Sequence, residues 1–292
     1  MFGLQLSSLG AAVSAAFTPF SPSSLFAASE VGAWYDPSDL STRFQDSVGT
    51  TPVTADGQPV GLVLDKSKGL VLGSTALVNG TFDSDTTWNK AGAVTIVDGV
   101  VRYSGAGVKE LYQNALSLNT WYQITFDIVR YASHFSFRVR VNGIDYDPNV
   151  AGVGNYALYV NSGASTNFNL IEFGASDYDL DNVKAQPIAG NPALAANSSS
   201  RPLKTSTGTS QWINYDAVDD VLNTTFPSAL GSNCTVARAN VGAAPTILTG
   251  QTIGTSYADS TDNAGLIIID RALTGQETAD VTAWLTAKGA TS

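Results

Sequence analysis

Residues 77–186 alternate apolar and polar side chains more regularly than any other part of the chain, and this pattern most limits the possible folds. In "YQITFDIV" every second residue from Tyr122 to Ile128 is apolar. The segment "FSFRVRVNG" repeats the alternation, and its predicted inward-facing residues are Phe135, Phe137, Val139 and Val141. Because successive side chains of a strand point to opposite faces, this spacing predicts strands with one buried face.

About eight such segments follow one another at a spacing of roughly ten residues. Asp98-Gly99 and Asn142-Gly143 separate pairs of them, and both dipeptides favour type I′ hairpin turns. Many short strands joined by tight turns predict a β-sandwich or jelly roll.

The end of the chain predicts a helix in "LTGQETADVTAWLTAKG". Thr274 is the expected N-cap, and Glu277 three residues later completes a capping box. Gly289 is expected just beyond the helix, at the C′ position. The apolar residues at i, i+3 and i+4, which should pack on a sheet, are Val281, Trp284 and Leu285.

Composition disfavours several classes of function. The net charge is −10 and the pI about 4.4, so the surface should repel phosphate backbones and not bind nucleic acid. Cys234 is the only cysteine and His134 the only histidine, which excludes an internal disulfide, a cysteine-based zinc site and a multi-histidine metal site.

The first 28 residues are apolar and carry no lysine or arginine. This fits a secretory signal poorly, and Pro19 and Pro22 interrupt the apolar run, so no membrane span is expected. The segment should dock on a surface, either on its own domain or, as an anchor, on a partner chain. The candidate docking residues are Phe2, Leu4, Leu6, Phe17, Phe20 and Phe26.

Two separated parts of the chain resemble one family. "NYDAVDDVLNTTFP" and "AGLIIIDRALTGQETADVTAWLTAKG" resemble the laminin G-like, concanavalin A-like sandwich domains, although Ala217 stands where that family usually has glycine. The family's opening pattern resembles "GAWYDPSDLSTRFQD" and "GQPVGLVLDKS", before residue 70. The residues that match the two later motifs are Tyr215, Asp216, Val218, Asp219, Asp220, Leu222, Ile268, Asp270, Arg271, Leu273 and Glu277.

The strand-rich module between these parts resembles carbohydrate-binding jelly rolls of the cellulose- and xylan-binding type, through "LVNGTFDSDTTW" at its start and "YDLDNVKAQ" at its end. We therefore expect an all-β protein of two β-sandwich (jelly-roll) domains, one inserted in the other, with a C-terminal helix and an extended N-terminal anchor segment. The expected parts are an anchor at 1–28, a discontinuous sandwich at 29–75 plus 188–292, and an inserted jelly roll at 76–187. Residues 65–75 and 188–201 should then lie side by side.

Sugar binding needs flat aromatic faces for stacking and polar groups for hydroxyls. The candidate ligand-binding residues are Trp121, Tyr131, Tyr146 and Tyr159, whereas Trp88 is expected in the core. The jelly-roll resemblance also implies a possible structural calcium, with Asn79, Asp83 and Asp181 as ligands. The alternative is that Asp181 is a β-turn residue without a metal.

Catalytic residues are poorly supported. Asp219 and Asp220 are expected on opposite faces of a strand, so they could not act on one substrate together. Asp177 and Asp179 could share a face, as a carboxylate pair for glycoside hydrolysis would. No nucleophile elbow, phosphate-binding loop or metal-binding motif is found.

The segment "GAWYDPSDLSTRFQDSVGTTPVTADGQPVGLVLDKS" also resembles bacteriophage virion proteins. This implies a non-enzymatic structural protein on the particle surface, associated with the tail or a fibre, that docks on other virion proteins by its N-terminus and binds host-surface polysaccharide. The alternatives are a capsid decoration or head-fibre protein, or an accessory module of a polysaccharide-degrading enzyme. A homo-oligomer is expected, with a trimer as the favoured form.

Overall fold

A computed structural model describes residues 19–289, and nearly all of its regular structure is antiparallel β-sheet. In chain order the first strands are β1 (Gly32–Tyr35), β2 (Arg43–Phe44) and β3 (Leu62–Val63). The next ten are β4 (Asn89–Ala91), β5 (Val94–Val97), β6 (Val100–Gly105), β7 (Lys109–Asn114), β8 (Trp121–Ser133), β9 (Phe137–Val141), β10 (Ile144–Tyr146), β11 (Gly154–Asn161), β12 (Asn167–Glu172) and β13 (Ser176–Pro187). The last eight are β14 (Ala193–Leu194), β15 (Leu203–Thr207), β16 (Ser210–Asn214), β17 (Leu222–Thr225), β18 (Gly231–Arg238), β19 (Thr246–Ile253), β20 (Ser256–Asp259) and β21 (Leu266–Ile269).

Strands β4–β13 form the inserted sandwich, whose two five-stranded sheets have the orders β10-β9-β12-β7-β4 and β11-β8-β13-β6-β5. Its core lies between these sheets, where Tyr122 and Ile128 are each 1% exposed and the alternate residues between them are equally buried. Trp88 belongs to this core and packs against Phe82 and Phe168. The predicted period-2 pattern is therefore confirmed here. Both hairpin dipeptides have positive φ at each residue, as type I′ turns require.

Phe135 is an exception to the predicted alternation. It is 71% exposed, whereas Phe137, Val139 and Val141 are buried as expected. β9 begins only at Phe137, because the amides of Phe135 and Ser136 donate to the carboxylate of Glu172 instead of a neighbouring strand. The inward prediction for Phe135 is wrong for this reason.

The remaining strands form the outer sandwich. Its four-stranded sheet has the order β1-β21-β18-β19, and its five-stranded sheet the order β2-β3-β14-β17-β20, with β15 and β16 as a separate hairpin. Apolar residues of both sheets, such as Val63, Leu222 and Ile268, form the core between them. Each sandwich thus has its own core, and the all-β fold class with two sandwiches is confirmed.

Helix α1 (Gly275–Gly289) covers the other face of the four-stranded sheet with Val281 and Leu285. Its capping box is present, since Glu277 N donates to Thr274 Oγ1 at 3.2 Å and Thr274 N to Glu277 Oε2 at 2.8 Å. Gly289 is the last helical residue and not the C′ residue: it packs so closely on Asn240 that a Cβ would lie 2.2 Å from that carbonyl oxygen.

The N-terminal segment contacts the same face. The 3₁₀ turn Pro22–Phe26 buries Phe26, which is 3% exposed, and Phe20 packs beside it; a second 3₁₀ turn spans Leu40–Thr42. The prediction that Phe20 and Phe26 dock on a partner chain is therefore wrong, because their side chains already pack on this chain's own helix and sheet. The other predicted docking residues, Phe2, Leu4, Leu6 and Phe17, lie outside the described residues.

The two connections between the sandwiches run side by side, and we call residues 65–75 and 188–191 the seam. Leu72 forms a β-bridge with Ile188, Gly73 N donates to Pro187 O at 2.8 Å, and Ala189 N donates to Val71 O at 3.3 Å. The two connections are therefore neighbours in space, as the insertion of one sandwich into the other requires.

Candidate ligand-binding cleft between the two sandwiches

A cleft of about 910 Å³ opens where the inserted sandwich meets the outer one, and we call it the interdomain cleft. One wall comes from the inserted sandwich at residues 119–121, 144, 146 and 159–161; the other comes from the outer sandwich at 29–32, 194–196 and 225–227. The seam closes its base through Lys68, Ile188, Gly190 and Asn191. A concave site of this size between domains is a usual place for a small ligand.

Two of the predicted aromatic residues stand on the outward face of one sheet. Trp121 begins β8 with its side chain on the same side as Gln123, and Tyr159 of β11 is paired with Gln123. Gln123 Nε2 donates to the Tyr159 hydroxyl at 2.9 Å, and the Tyr159 ring lies 5.3 Å from that of Phe44 in the outer sandwich. This outward face is therefore covered by the second domain, which leaves Trp121 and Tyr159 each only 8% exposed.

A short loop of the outer sandwich, residues 46–51, holds this contact. The carboxylate of Asp46 accepts hydrogen bonds from the amides of Val48, Thr50 and Thr51, which shapes the loop. Val48 O then accepts a hydrogen bond from Tyr159 N at 2.7 Å. Thr50 Oγ1 accepts another from the side-chain amide of Asn149, at 2.8 Å. Bonds from both the backbone and side chains thus position one sandwich against the other.

Asp65 holds the base of the cleft together. Its carboxylate accepts hydrogen bonds from Trp34 N and Ser67 N at 2.8 Å each, from Ser67 Oγ at 2.8 Å and from Asn191 N at 2.7 Å. These donors belong to β1 and to both connections of the seam. Asn191 in turn donates through Nδ2 to Gly32 O at 2.8 Å, so the chain of bonds ends in the cleft wall.

Burial raises the pKa of Asp65 to about 6, and the hydrogen bonds from Trp34, Ser67 and Asn191 offset only part of this effect. The side chain is 1% exposed, and no cation is paired with it among the described ion pairs. Removing a carboxylate from water disfavours its charged form, and neutral N–H donors compensate less than a cation would.

The lining of the cleft carries no net charge. Its charged residues are Glu30 and Lys68, and Lys68 Nζ already donates to Phe26 O at 2.8 Å and Glu30 O at 3.0 Å. Glu30 Oε1 lies 3.5 Å from Arg271 Nε. The side-chain amide of Asn119 is exposed and makes no hydrogen bond within the described chain, so it can serve a ligand.

Three of the four predicted ligand residues, Trp121, Tyr146 and Tyr159, line the cleft, and Tyr131 does not. The pairing of β8 with β13 shifts between Ile128 and Arg130, so one extra residue interrupts the alternation. Tyr131 therefore faces the sandwich core, whereas uninterrupted alternation from Ile128 would place it on the outward face. Its hydroxyl hydrogen-bonds His134 Nδ1 at 2.9 Å. Asn119 and Asp65 were not among the predicted site residues, because a loop amide and a turn aspartate have no distinctive sequence signal.

The three possible calcium ligands are Asn79, Asp83 and Asp181, and they come from two segments that are hydrogen-bonded to each other. Gly80 O accepts a hydrogen bond from Val183 N at 2.9 Å, which places the turn of Asn79 and Asp83 beside Asp181. Burial raises the pKa of Asp181, and the charges of Asp127 and Asp83 add to the effect. Asn79 Nδ2 is engaged by Ser84 O and Thr86 O. Calcium binding here stays a prediction.

Within residues 19–289, the ligand atoms of one acidic trio lie within 4.8 Å of one another, namely those of Asp216, Asp219 and Asp220. The strand argument that separated Asp219 from Asp220 is therefore wrong, since both lie in a turn before β17. The carboxylate of Asp216 accepts the amides of Val218, Asp219 and Asp220, so the trio closes its own turn. Ala217 has φ +60°, the left-handed conformation in which glycine is most favourable.

Asp177 and Asp179 share a face as expected, but both are bound by arginines. Arg102 and Arg130 each donate two hydrogen bonds to Asp179, at 2.9–3.0 Å. Burial alone would raise the pKa of Asp179, yet these arginines outweigh it and lower the pKa to about 2. A general acid working near neutral pH needs the opposite shift, so this pair is poorly suited to donate a proton.

Comparisons with known proteins add little. No protein-family model matches the sequence, and no curated protein matches it. Among solved structures, the chain is similar to the N-terminal CBM22-1-CBM22-2 tandem domain from Paenibacillus barcinonensis Xyn10C, with 13% identity, over 77% of this chain and 96% of that chain, at a TM-score of 0.30. A likeness at this TM-score supports no conclusion about this chain. Within residues 19–289 no helix is both long and apolar enough to cross a membrane.

Proposed function

We propose that this chain is a non-enzymatic carbohydrate-binding protein whose ligand, a neutral oligosaccharide, occupies the interdomain cleft. The observation that carries the proposal is a cleft of about 910 Å³ that combines the half-buried ring of Tyr146 with a lining of no net charge. Trp121 and Tyr159 also line the cleft, but each is only 8% exposed. Aromatic rings suit the apolar faces of sugar rings, and amide and hydroxyl groups suit their hydroxyls.

Neutrality of the ligand follows from the charges around the cleft. Glu30 and Lys68 are already engaged by Arg271 and by backbone carbonyls, so a charged sugar would find no free counterion there. Burying an unpaired charge is costly. The free donor and acceptor groups, such as the Asn119 amide and the Thr225 hydroxyl, are neutral.

Tyr146→Ala and Asn119→Asp test the proposal. Tyr146 is half-buried in the cleft wall, and losing its ring should weaken oligosaccharide binding up to about tenfold, since a stacked aromatic contributes up to about 1.4 kcal/mol. Asn119 has φ +50°, which aspartate tolerates, so Asn119→Asp changes the charge and removes the amide donor while keeping the turn. Calorimetry with neutral hexasaccharides of xylose, glucose, mannose and N-acetylglucosamine provides the readout.

Tyr112→Ala is the matched control. Tyr112 is also half-buried and lies on β7, in the same sheet as Tyr146, but it does not line the cleft. Unchanged binding in this variant would show that the effect of Tyr146→Ala is local. If Tyr146→Ala and Asn119→Asp bind every tested oligosaccharide as the parent does, the cleft is not the site.

The virion role belongs to the same proposal and rests on the sequence resemblance. In it the protein attaches to a bacteriophage particle through residues 1–18 and presents the cleft to host polysaccharide, on a tail, fibre or head position. Because residues 19–28 pack on the chain's own fold, a deletion should stop at residue 18. Loss of incorporation into particles by a folded 19–292 chain is the expected result, and unimpaired incorporation would refute the anchor.

A further inference from the structure

The end of the inserted sandwich farthest from the cleft forms a compact tip made of turns. We call residues 92–93, 106–108, 133–136 and 173–175 the distal tip; each turn joins one sheet of the sandwich to the other. β8 runs from Trp121 in the cleft to Ser133 in the tip. At about 3.3 Å per residue the two places are on the order of 40 Å apart.

Two charged side chains that are fully buried brace this tip from within. Lys109 Nζ donates to Gly107 O at 3.1 Å and to Gly174 O at 2.7 Å. Glu172 Oε1 accepts the amides of Phe135 at 3.2 Å, Ser136 at 2.8 Å and Gly174 at 3.2 Å. Hydrogen bonds to buried charges are among the stronger ones, so three turns are held in a fixed arrangement.

Phe135 lies on this braced surface with most of its ring in solvent, at 71% exposure. One side of the ring rests on Gly174, where a Cβ would come within 2.4 Å of Phe135 Cγ. A side chain at position 174 would displace the ring, so glycine there lets Phe135 lie against the backbone and leaves its other face open.

Two polar residues, Ser133 and His134, directly precede Phe135 in the same turn. Ser133 is exposed, and its hydroxyl makes no hydrogen bond within the described residues. His134 uses Nδ1 for the Tyr131 hydroxyl at 2.9 Å, which leaves Nε2 available. The nearby arginines of β9 are paired, Arg138 with Asp147 and Arg140 with Asp145, so the surroundings are balanced in charge.

The apolar area at the tip decides the size of its partner. Phe135 and Val108, which is 51% exposed, together offer roughly 200 Å², since a large side chain presents about 150–250 Å². A stable protein interface needs about 800 Å² from each partner. The patch is therefore too small for a second protein chain, and it matches one sugar ring.

We infer that the distal tip is a second carbohydrate-binding site, where Phe135 stacks on a neutral pyranose and Ser133 and His134 bind its hydroxyl groups. The ligand class rests on the proposed function, but the tip shares no residue with the interdomain cleft. Two sites at opposite ends of one module would let the protein engage two places on a polysaccharide at once, which raises avidity.

Stoichiometry separates the two sites. Titration of the full chain with neutral tetrasaccharides of xylose, glucose, mannose and N-acetylglucosamine should give two binding events per chain with at least one of them. Phe135→Ala should remove one event or weaken it about tenfold, and Phe135→Tyr should restore it because the ring is kept. Val153→Ala is the matched control, since Val153 is 67% exposed and lies outside both sites.

The outcomes distinguish failure of the tip site from failure of the cleft site. If Tyr146→Ala removes binding and Phe135→Ala has no effect, the tip site is wrong and the cleft stands. If only Phe135→Ala has an effect, the cleft is wrong and the tip stands. Absence of binding to all four tetrasaccharides and to the hexasaccharides would overturn both. The thermal unfolding midpoint of Phe135→Ala should match that of the parent, because the side chain it removes is mostly in solvent.

Discussion

The seam and the outward face of the inserted sandwich each contain a nearly buried aspartate, and the two behave in opposite ways. Asp65 at the seam is 1% exposed and accepts four hydrogen bonds, all from neutral donors. Asp179 on the sheet face is 5% exposed and accepts four, all from arginines. The pKa of Asp65 rises to about 6, and that of Asp179 falls to about 2. The number of hydrogen bonds is the same for both aspartates, so it does not explain the opposite directions of their pKa shifts. The difference is explained by the charge of the donors.

The largest expected effect comes from Asp65→Asn. An amide offers one acceptor oxygen, and its NH₂ group would face the N–H of Asn191 or Trp34, so at least two buried donors lose their partner. We expect the free energy of unfolding to fall by about 3–4 kcal/mol, measured by urea unfolding. Asp85→Asn is the control, because Asp85 is exposed and pairs only with Lys90. If Asp65→Asn is as stable as the parent at pH 7, the cost of burying the charge cancels the hydrogen bonds.

The pH dependence of stability should differ in sign between the two residues. Because the folded-state pKa of Asp65 lies above the ordinary value of 3.8, the native state holds its proton more tightly. The free energy of unfolding should therefore fall by about 3 kcal/mol as pH rises from about 4 to about 6. The contribution of Asp179 is present above pH 4 and lost as pH falls toward 2. Carboxyl-carbon NMR titration should give midpoints near 6 and 2, and similar midpoints would contradict the comparison.

A smaller effect is expected from Asp179→Asn. Arg102 and Arg130 are each about 40% exposed on their side chains, so water can replace part of what they lose. We expect a loss of about 1–2 kcal/mol in urea unfolding, and a flatter stability profile between pH 2 and 4. The slope between pH 4 and 6 should stay as in the parent, since Asp65 is untouched. A change in that slope would mean that the two carboxylates are coupled.

The smallest effect is expected from Asp177→Asn. Asp177 is exposed and contacts Arg130 at 2.7 Å, and Arg130 keeps Asp179 as a partner when Asp177 is replaced. The thermal unfolding midpoint should not change measurably, because exposed ion pairs contribute little. A clear drop would show that the network acts as a unit and that Asp179 is not its centre.

Local features of this protein were predictable in detail. The inward run from Tyr122 to Ile128, the hairpin dipeptides and the capping box of Thr274 and Glu277 appear as expected, because each depends on residues that are neighbours in sequence. The nested arrangement was also predictable, from motifs that resemble one family on either side of a second module. The exact limits of the two domains stay a prediction.

The errors at Tyr131 and Phe135 share one physical cause, which is that alternation along a strand gives no information about its interruptions. One extra residue between Ile128 and Arg130 turns Tyr131 to the core side. A buried carboxylate, Glu172, captures the amide of Phe135 and leaves its ring exposed. The docking role of Phe26 was wrong because an apolar terminal residue packs equally well on its own helix.

The sequence alone determined which side chains alternate along each strand, where the helix starts and where the hairpins turn, since these depend on local backbone preferences. Only the tertiary structure decided that the outward residues Trp121 and Tyr159 become the wall of a cleft. The sheet face that carries these two residues is buried by the outer sandwich, whose contacting residues are distant in sequence. Packing between two domains leaves no periodic pattern of apolar residues in the sequence. The same packing places Asp65 in a dry seam, and burial there is what gives an ordinary turn aspartate a raised pKa.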